Sequence, residues 1–334
     1  MEGLVTFDGD VVIDYVPSEL QLSHSSRSIS CDRKFEFRKL YPRGHSWESL
    51  PGEVGHCLHE AYQVYAITGD IEAALIALML RYPIHLNDDP ANGRSLEACY
   101  ATFMAMRDNI KLQEYQIATI NCIDGVERPA VEVPFKINIT DTYLDQDNKQ
   151  IPISYIGFID IILFHILTNE YMTMDIKSTR DWAANEDHNS LLPKFTFDEQ
   201  VLPYGLVLEH MLGRIIKGYK VNYLSCFIDI QKPNIVNYPF DKTQLDIQDF
   251  LIGLKLDISR YQQSWKAKWF RRTKGSCLDR YGKQCEYFKH CHIRNKKTIL
   301  NMVFNKDMKL VERVHEPWIE FNLDLNAGVE NGRA

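Results

Sequence analysis

The sequence lacks an apolar run long enough to span a bilayer, a signal-peptide pattern at its start, an internal repeat and a glycine-rich phosphate loop. A membrane-spanning protein, a repeat array and a P-loop NTPase are therefore not expected. The sequence also has no excess of positive charge: 38 Lys and Arg against 45 Asp and Glu give a net charge of −7. This argues against a uniformly basic protein that coats nucleic acid. Without a secretory signal the eight cysteines are expected to be reduced in the cytoplasm, so cysteine clusters indicate metal rather than disulfides.

The composition is that of an ordinary globular chain with one basic segment. At 334 residues, with 45% hydrophobic and 25% charged residues, the chain can form one large domain or two modest ones. Residues 260–297 hold twelve Lys or Arg against two acidic residues, a local balance of +10, so the rest of the chain carries −17. A basic segment on an acidic body indicates one directed contact with an anionic partner.

Two apolar runs in the middle of the chain predict a β-hairpin. Residues 155–164 and 171–179 are rich in β-branched and aromatic side chains, and polar residues separate them. Asp160 interrupts the first run, and Asp175 and Lys177 interrupt the second. Because side chains alternate along a strand, Asp175 and Lys177 are expected on the same face.

These charges have two interpretations. Charges in strands this apolar must be paired or must hold a metal. Two carboxylates on neighbouring strands can hold Mg2+ or Mn2+, and an ammonium beside them can orient water and stabilise negative charge on a phosphate. The alternative is a structural Asp175–Lys177 ion pair with Asp160 as a turn or edge acid. The hairpin alone leaves both interpretations open.

The remaining pattern predicts helices around a mixed sheet, which is an α/β (α+β) arrangement. Helices are expected at 52–83 (two, divided near Gly69), 96–111, 195–217 and 243–270, and a capped helix start at 28–41. In the helix at 195–217, Gln200 and Tyr204 are expected on one face, and Pro203 puts the helix start near Val201 or makes a local kink. Strands are expected at 114–122, 129–139 and 219–230, with Glu132 as another acid on the approach to the hairpin. Polar loops are expected at 141–150 and 182–194.

Three cysteines fall close together in the basic segment. Cys277, Cys285 and Cys291 lie in a stretch with little hydrophobic periodicity, which is typical of metal ligands. Three thiolates need a fourth partner. His290 or His292 would complete a zinc site, whereas a distant cysteine would complete an iron–sulfur cluster.

Five short motifs together resemble the RecB-type branch of the PD-(D/E)XK nucleases. They are Gly55-x-x-x-His59, Asp160 in a Gly-x-x-Asp context, Asp175-Ile176-Lys177, Gln200-x-x-x-Tyr204, and the set of Cys31, Cys277, Cys285 and Cys291. The last matches the iron–sulfur subgroup, which includes the AddB nuclease domain, CRISPR-associated adaptation exonucleases and many phage exonucleases. The resemblance covers about residues 28–292. One departure is that seven residues separate Cys277 from Cys285, where the family often has a close CxxC pair.

The resemblance implies a role for each of these residues. His59, Asp160 and Asp175 would bind Mg2+ or Mn2+, with the main-chain carbonyl of Ile176 as a further ligand. Lys177 would be the catalytic lysine, and Gln200 and Tyr204 would contact DNA and brace the site. Cys31, Cys277, Cys285 and Cys291 would hold a [4Fe-4S] cluster, with zinc as the alternative metal.

The implied protein is a metal-dependent DNA exonuclease with a restriction-endonuclease-like core: a mixed central sheet flanked by helices, an N-terminal helical region and a C-terminal cysteine-ligated module. Its substrate would be single-stranded DNA or duplex ends, and a single-strand-binding or recombinase protein is a candidate partner. The implied pathway is DNA recombination, DNA repair or phage DNA metabolism. The implied compartment is the cytoplasm, or the host cytoplasm if the chain is phage-encoded. A structure-specific endonuclease and an inactive DNA-binding adaptor on the same fold are the alternatives.

The expected division of the chain follows from the same resemblance. An N-terminal segment (1–27) precedes a nuclease domain (28–270) that carries a helical insertion (52–113). An iron–sulfur module (271–297, with Cys31), a segment at 298–321 and a disordered tail at 322–334 complete the chain.

Overall fold

The computed structural model describes residues 19–27, 29, 31–35, 50–82, 95–109, 114–144, 150–179, 191–229, 231–267, 269–273, 285, 291, 317–321 and 323–327. The helices are α1 (His24–Arg27), α2 (Asp32–Phe35), α3 (Leu50–Thr68), α4 (Ile71–Arg81), α5 (Leu96–Asn109), α6 (Leu192–Thr196), α7 (Tyr204–Leu212), α8 (Gln244–Lys266) and α9 (Pro317–Glu320). The strands are β1 (Leu20–Leu22), β2 (Tyr115–Ile117), β3 (Thr119–Asn121), β4 (Glu127–Pro129), β5 (Val131–Leu144), β6 (Gln150–His165), β7 (Glu170–Thr179), β8 (Gly218–Phe227), β9 (Asn234–Thr243) and β10 (Asp324–Ala327).

A mixed sheet of eight strands is the framework of the described residues. Its main order is β10-β5-β6-β7-β8-β9, and β1 and β2 also pair with β6. The β5–β6, β6–β7 and β8–β9 pairs are antiparallel, whereas β7–β8 and β10–β5 are parallel. The predicted mixed sheet and the predicted hairpin are both confirmed.

Helices cover both faces of the sheet and create two apolar cores. One core packs α7 and α8 against the sheet through side chains such as Val207, Ile247 and Phe250. The other packs α3, α4 and α5 against the opposite face through side chains such as Leu58, Leu78 and Phe103. The predicted arrangement of a central sheet flanked by helices is therefore confirmed.

The helix boundaries follow from local chemistry. Asp70 caps α4 by accepting hydrogen bonds from the backbone N–H groups of Glu72 and Ala73, and Gly69, with φ of 69°, makes the turn from α3. Thr243 and Asp246 form a reciprocal capping box at the start of α8. These are the places where the sequence predicted the helix starts.

Several predicted boundaries are wrong. The strand pair β5–β6 includes residues 141–144 and 150, which were expected in a loop. In the segment expected as a helix at 195–217, α7 begins at Tyr204, directly after Pro203 and close to the start near Val201 that this proline indicated. The end at 217 is wrong, because α7 ends at Leu212 and Gly213 follows with φ of 61°. Residues 324–327, expected in a disordered tail, form β10 because they pair with β5.

Other predictions fall partly or wholly outside the described residues. α2 is the described part of the helix expected at 28–41, and most of the segments at 182–190 and 274–316 lie outside. β9 was not expected from the sequence. None of the helices within the described ranges combines the length and the apolar content needed to cross a membrane.

Candidate active site

The strands β6 and β7 stop pairing just beside Asp160 on β6 and Asp175 on β7. Their ladder runs from His165↔Glu170 to Ile161↔Met174 and ends there, while β7 continues beside β8. Asp160 fills the resulting fork, because its Oδ2 accepts a hydrogen bond of 2.6 Å from the backbone N–H of Ile176. A buried carboxylate needs such a donor, so this bond fixes Asp160 against the Asp175-Ile176-Lys177 segment.

Asp175 and Lys177 form the second part of the site, and their shared face is confirmed. The Lys177 Nζ and Asp175 Oδ2 form an ion pair at 2.6 Å. Asp175 Oδ2 is buried, and the described residues give it no hydrogen bond of good geometry. Gln200 bridges the pair: its Nε2 donates to Asp175 Oδ1 at 3.1 Å and its Oε1 accepts from Lys177 Nζ at 2.9 Å. The Tyr204 hydroxyl donates to the same Asp175 oxygen at 3.3 Å.

Gln200 and Tyr204 reach Asp175 from different local structures. Both residues were expected on one helix face, but Gln200 lies in the turn before α7 and Tyr204 is its first residue. Asp198 Oδ1 accepts a hydrogen bond from the Gln200 backbone N–H at 2.9 Å and so holds that turn. Tyr204 is only 1% exposed. This burial favours bracing of Asp175 over direct contact with DNA.

His59 brings α3 to the fork. Gly55 lies one turn before it, and an added Cβ there would lie 3.1 Å from Ser178 Oγ, so glycine permits close packing of α3 on β7. The His59 Nε2 lies 3.0 Å from the carbonyl oxygen of Ile176, and its Nδ1 lies 3.1 Å from Glu132 Oε1. Asp160 Oδ2 is 3.8 Å from the same Nδ1.

The ionisable groups of the site perturb one another. Burial, with a contribution from Asp160, raises the pKa of Asp175 to about 6 although Lys177 opposes this. Burial also raises the pKa of Asp160, against the effect of His59. Burial lowers the pKa of His59, but Asp160 and Glu132 outweigh it and raise the pKa to about 9. Burial likewise lowers the pKa of Lys177, and Asp175 and Asp160 reverse this into a net rise.

This donor set can hold a divalent metal ion. Among the described residues, ligand atoms of His59, Glu132 and Asp160 lie within 4.8 Å of one another. The carboxylate oxygens and the carbonyl of the site suit Mg2+ or Mn2+, whereas the imidazole is more often a ligand of transition metal ions. Asp175 lies outside that group of three, and its role as a ligand stays a prediction. The sequence did not assign Glu132 to the site; its only signal is an acid between Val131 and Val133.

The cysteines divide into two classes. Cys57, Cys99, Cys122 and Cys226 are buried, as expected of small core residues. Cys31 is also buried, and its Sγ lies 3.9 Å from the carbonyl oxygen of Arg271. Cys285 and Cys291 are half-buried, and among the described residues they do not converge with Cys31 on one metal position. Cys277, His290 and His292 lie outside the described residues.

Comparison with known proteins gives weak structural likenesses. No protein-family model and no curated protein matches the chain. A solved structure of a candidate exonuclease from Eubacterium rectale is 11% identical, with a TM-score of 0.46 over 86% of this chain and 94% of that chain. The solved structure of the protein SSO0001 is 13% identical, with a TM-score of 0.25 over 79% of this chain and 91% of that chain. Both TM-scores are below 0.5, so we argue function from the residues of the site alone.

Proposed function

We propose that this chain is a metal-dependent DNA exonuclease. The observation that carries the proposal is the meeting of His59, Asp160, Asp175 and Lys177 at one fork of the sheet, although His59 is 101 residues from Asp160 in the sequence. A structural ion pair needs only one acid and one base. It does not explain a second buried acid, an imidazole and a carbonyl oxygen at the same place.

The residues of the fork have distinct roles in phosphodiester hydrolysis. His59, Asp160, Asp175 and the Ile176 carbonyl would hold Mg2+ or Mn2+, which when bound supplies a Lewis acid for the attack of water on the phosphate. Lys177 carries an ammonium 2.6 Å from Asp175, where it orients water and stabilises negative charge in the transition state. Gln200 and Tyr204 fix the Asp175 carboxylate through hydrogen bonds to the same oxygen.

The first test replaces Lys177 and compares it with a lysine outside the fork. We expect Lys177→Ala to lower the rate of DNA degradation with Mg2+ by about 10²–10³-fold, the usual cost of removing one group that stabilises transition-state charge. Lys220 is the matched control, because it lies on the neighbouring strand β8, is half exposed and pairs with Glu170. Lys220→Ala should keep full activity. Full activity of Lys177→Ala would contradict the mechanism.

A second test separates exonuclease from endonuclease. Linear DNA labelled at either end should release short labelled products, and circular single-stranded DNA should remain intact. Degradation of the circle would assign the chain to structure-specific endonucleases. Chelation should stop degradation, and added Mg2+ or Mn2+ should restore it.

We also propose that Cys31, Cys277, Cys285 and Cys291 hold one [4Fe-4S] cluster. The contact between Cys31 and Arg271 supports this, because it brings the early cysteine to the segment that leads into Cys277 six residues later. Joining residues this distant restricts the unfolded chain, so the cluster would stabilise the fold. Protein purified without oxygen should be brown and contain about four iron and four sulfide per chain. Stoichiometric zinc without iron would favour His290 or His292 as the fourth ligand.

A further inference from the structure

Glu132 has a backbone conformation that its position does not explain. It lies in β5, between the ladder pairs Val131↔Ile161 and Val133↔Ile159, yet its φ is 48°. This left-handed region is unfavourable for side chains that carry a Cβ. The other described non-glycine residue with positive φ is Asn169, at 56°, in the turn between β6 and β7, where asparagine is common.

At Glu132, β5 changes the face of the sheet on which its neighbouring side chains pack. Val131 packs in the core formed with α3, whereas Val133 packs in the core formed with α8. In a regular strand these two residues would share a face. Glycine at position 132 could make this switch without strain. The presence of glutamate therefore indicates that its carboxylate is needed there.

The contacts of Glu132 show what the carboxylate does. Its Oε1 lies 3.1 Å from Nδ1 of His59, and a carboxylate oxygen can only accept, so Nδ1 is the donor. The other ring nitrogen, Nε2, lies 3.0 Å from the Ile176 carbonyl, which also only accepts, so without metal both ring nitrogens carry a proton. Nε2 is the nitrogen that can exchange its proton for a metal ion while Glu132 holds Nδ1–H. A carboxylate on the second ring nitrogen is the usual partner that orients a metal-binding histidine.

We propose that Glu132 is a positioning residue: it binds Nδ1–H of His59 and so presents Nε2 to the divalent metal beside the Ile176 carbonyl. The proposal rests on the proposed function, and it adds to the site a residue that the resembled motifs do not contain. The competing role is direct ligation of the metal by Glu132, which forms a group of possible ligands with His59 and Asp160.

Calorimetric titration of the full chain with Mn2+ tests the role without an activity readout. E132A should weaken Mn2+ binding by about 10–100-fold, the usual effect of losing such a partner. E132Q should lose less than about 10-fold, because its amide oxygen still accepts from Nδ1–H. Equal losses in E132Q and E132A would indicate direct ligation and overturn the proposal, and wild-type affinity in E132A would overturn it too.

The strain is tested by a matched pair of variants without metal. E132G and E132A both lack the carboxylate, but only glycine suits the positive φ, so E132G should melt about 2 °C or more above E132A. The control pair N169G and N169A should show the same order of melting temperatures without any change in Mn2+ affinity. Equal melting of E132G and E132A would refute the strain that the proposal requires.

A spectroscopic test identifies which ring nitrogen of His59 carries the proton when the metal is bound. Protein labelled with 15N-histidine and loaded with Mg2+ should show a proton on Nδ1 of His59, with the signal assigned by its loss in H59Q. A proton on Nε2 instead would overturn the proposal. Absence of Mn2+ binding by the wild-type protein would overturn the proposed function itself, whereas wild-type binding with an unaffected E132A overturns this inference alone.

Discussion

Tyr204 offers a way to separate bracing of the site from packing of the core. Its ring meets Phe135 edge to face at 6.1 Å, and its hydroxyl donates to Asp175 Oδ1 at 3.3 Å. Burial raises the pKa of this phenol well above its usual value, so the hydroxyl stays protonated and can donate at any working pH. Tyr204→Phe removes the hydroxyl alone, and Tyr204→Ala removes the ring as well.

The structure sets the size of the two effects. Loss of a buried aromatic ring costs about 3–5 kcal/mol, which lowers the melting temperature of a chain of this size by roughly 4–7 °C. A hydrogen bond to a charged group contributes about 1.5–3 kcal/mol, and the long distance places this one at the lower end. Asp175 also keeps its contacts with Lys177 and Gln200. We therefore expect Tyr204→Phe to lower the rate about tenfold while the fold persists.

The assay measures both quantities on the same preparations. Thermal unfolding gives the stability, and degradation of end-labelled DNA with saturating Mg2+ gives the rate. Full activity of Tyr204→Phe would show that the hydrogen bond to Asp175 is not needed. A melting temperature of Tyr204→Ala within about 2 °C of wild type would refute the assignment of the ring to the core.

Three further predictions concern packing, capping and the bridge. In Gly157→Ala the new Cβ would lie 2.6 Å from a ring carbon of Phe135, so denaturant unfolding should show a loss of about 1–3 kcal/mol. Burial tends to raise the pKa of Asp246, but hydrogen bonds from Thr243 outweigh it and lower the pKa, so its stabilisation is present above the unfolded pKa and is lost as pH falls through the folded one. Asp246→Asn should therefore cost about 0.3–1 kcal/mol at pH 7, the usual contribution of a negative charge near a helix N-terminus, and urea unfolding should show this cost shrink as the pH falls below the ordinary carboxyl pKa. Gln200→Ala should slow DNA degradation while the melting temperature stays close to that of the wild type. The reason is that Gln200 lies in a turn and contributes its amide to the site rather than packing in the core.

The fold was predictable where the signal is local. The apolar runs around Asp160 and Asp175 specify β6 and β7 because short runs of β-branched and aromatic residues between turn residues are typical of buried strands. Asp70 and Thr243 mark helix starts because each side chain accepts hydrogen bonds from the first backbone N–H groups of its helix. These elements are confirmed, although β6 begins five residues before the predicted run and α8 ends four residues before the predicted end.

The peripheral strands were not predictable in this way. β9 contains Pro239 and alternates weakly, and β10 is four residues long, so neither forms a clear pattern by itself. Each is a strand because a neighbouring strand offers backbone groups to pair with: β8 for β9 and β5 for β10. Strand formation that depends on a partner distant in sequence is absent from a local pattern.

Most residues of the site were predictable from the sequence, but Glu132 was not. Asp175 and Lys177 share a face by periodicity alone, and the motif resemblance added His59, Gln200 and Tyr204, all of which lie at or beside the fork. Glu132 was visible only as an acid in a strand. Its place in the site depends on a positive φ, and no residue pattern indicates a left-handed glutamate.

The charges of the fork explain why such a costly arrangement suits a divalent ion. Glu132, Asp160 and Asp175 bring three carboxylates to the region of one imidazole and one ammonium, His59 and Lys177. With His59 protonated, as its raised pKa of about 9 implies at neutral pH, the cluster keeps an excess of one negative charge. A metal ion that replaces the proton on His59 meets two uncompensated negative charges, which a divalent cation balances and a monovalent one does not. Burial raises the pKa of both Asp160 and Asp175, so keeping these two acids charged in the folded state costs free energy. Binding of the ion to the folded state alone offsets that cost, by about 2.7 kcal/mol when the ion is present at a hundred times its dissociation constant.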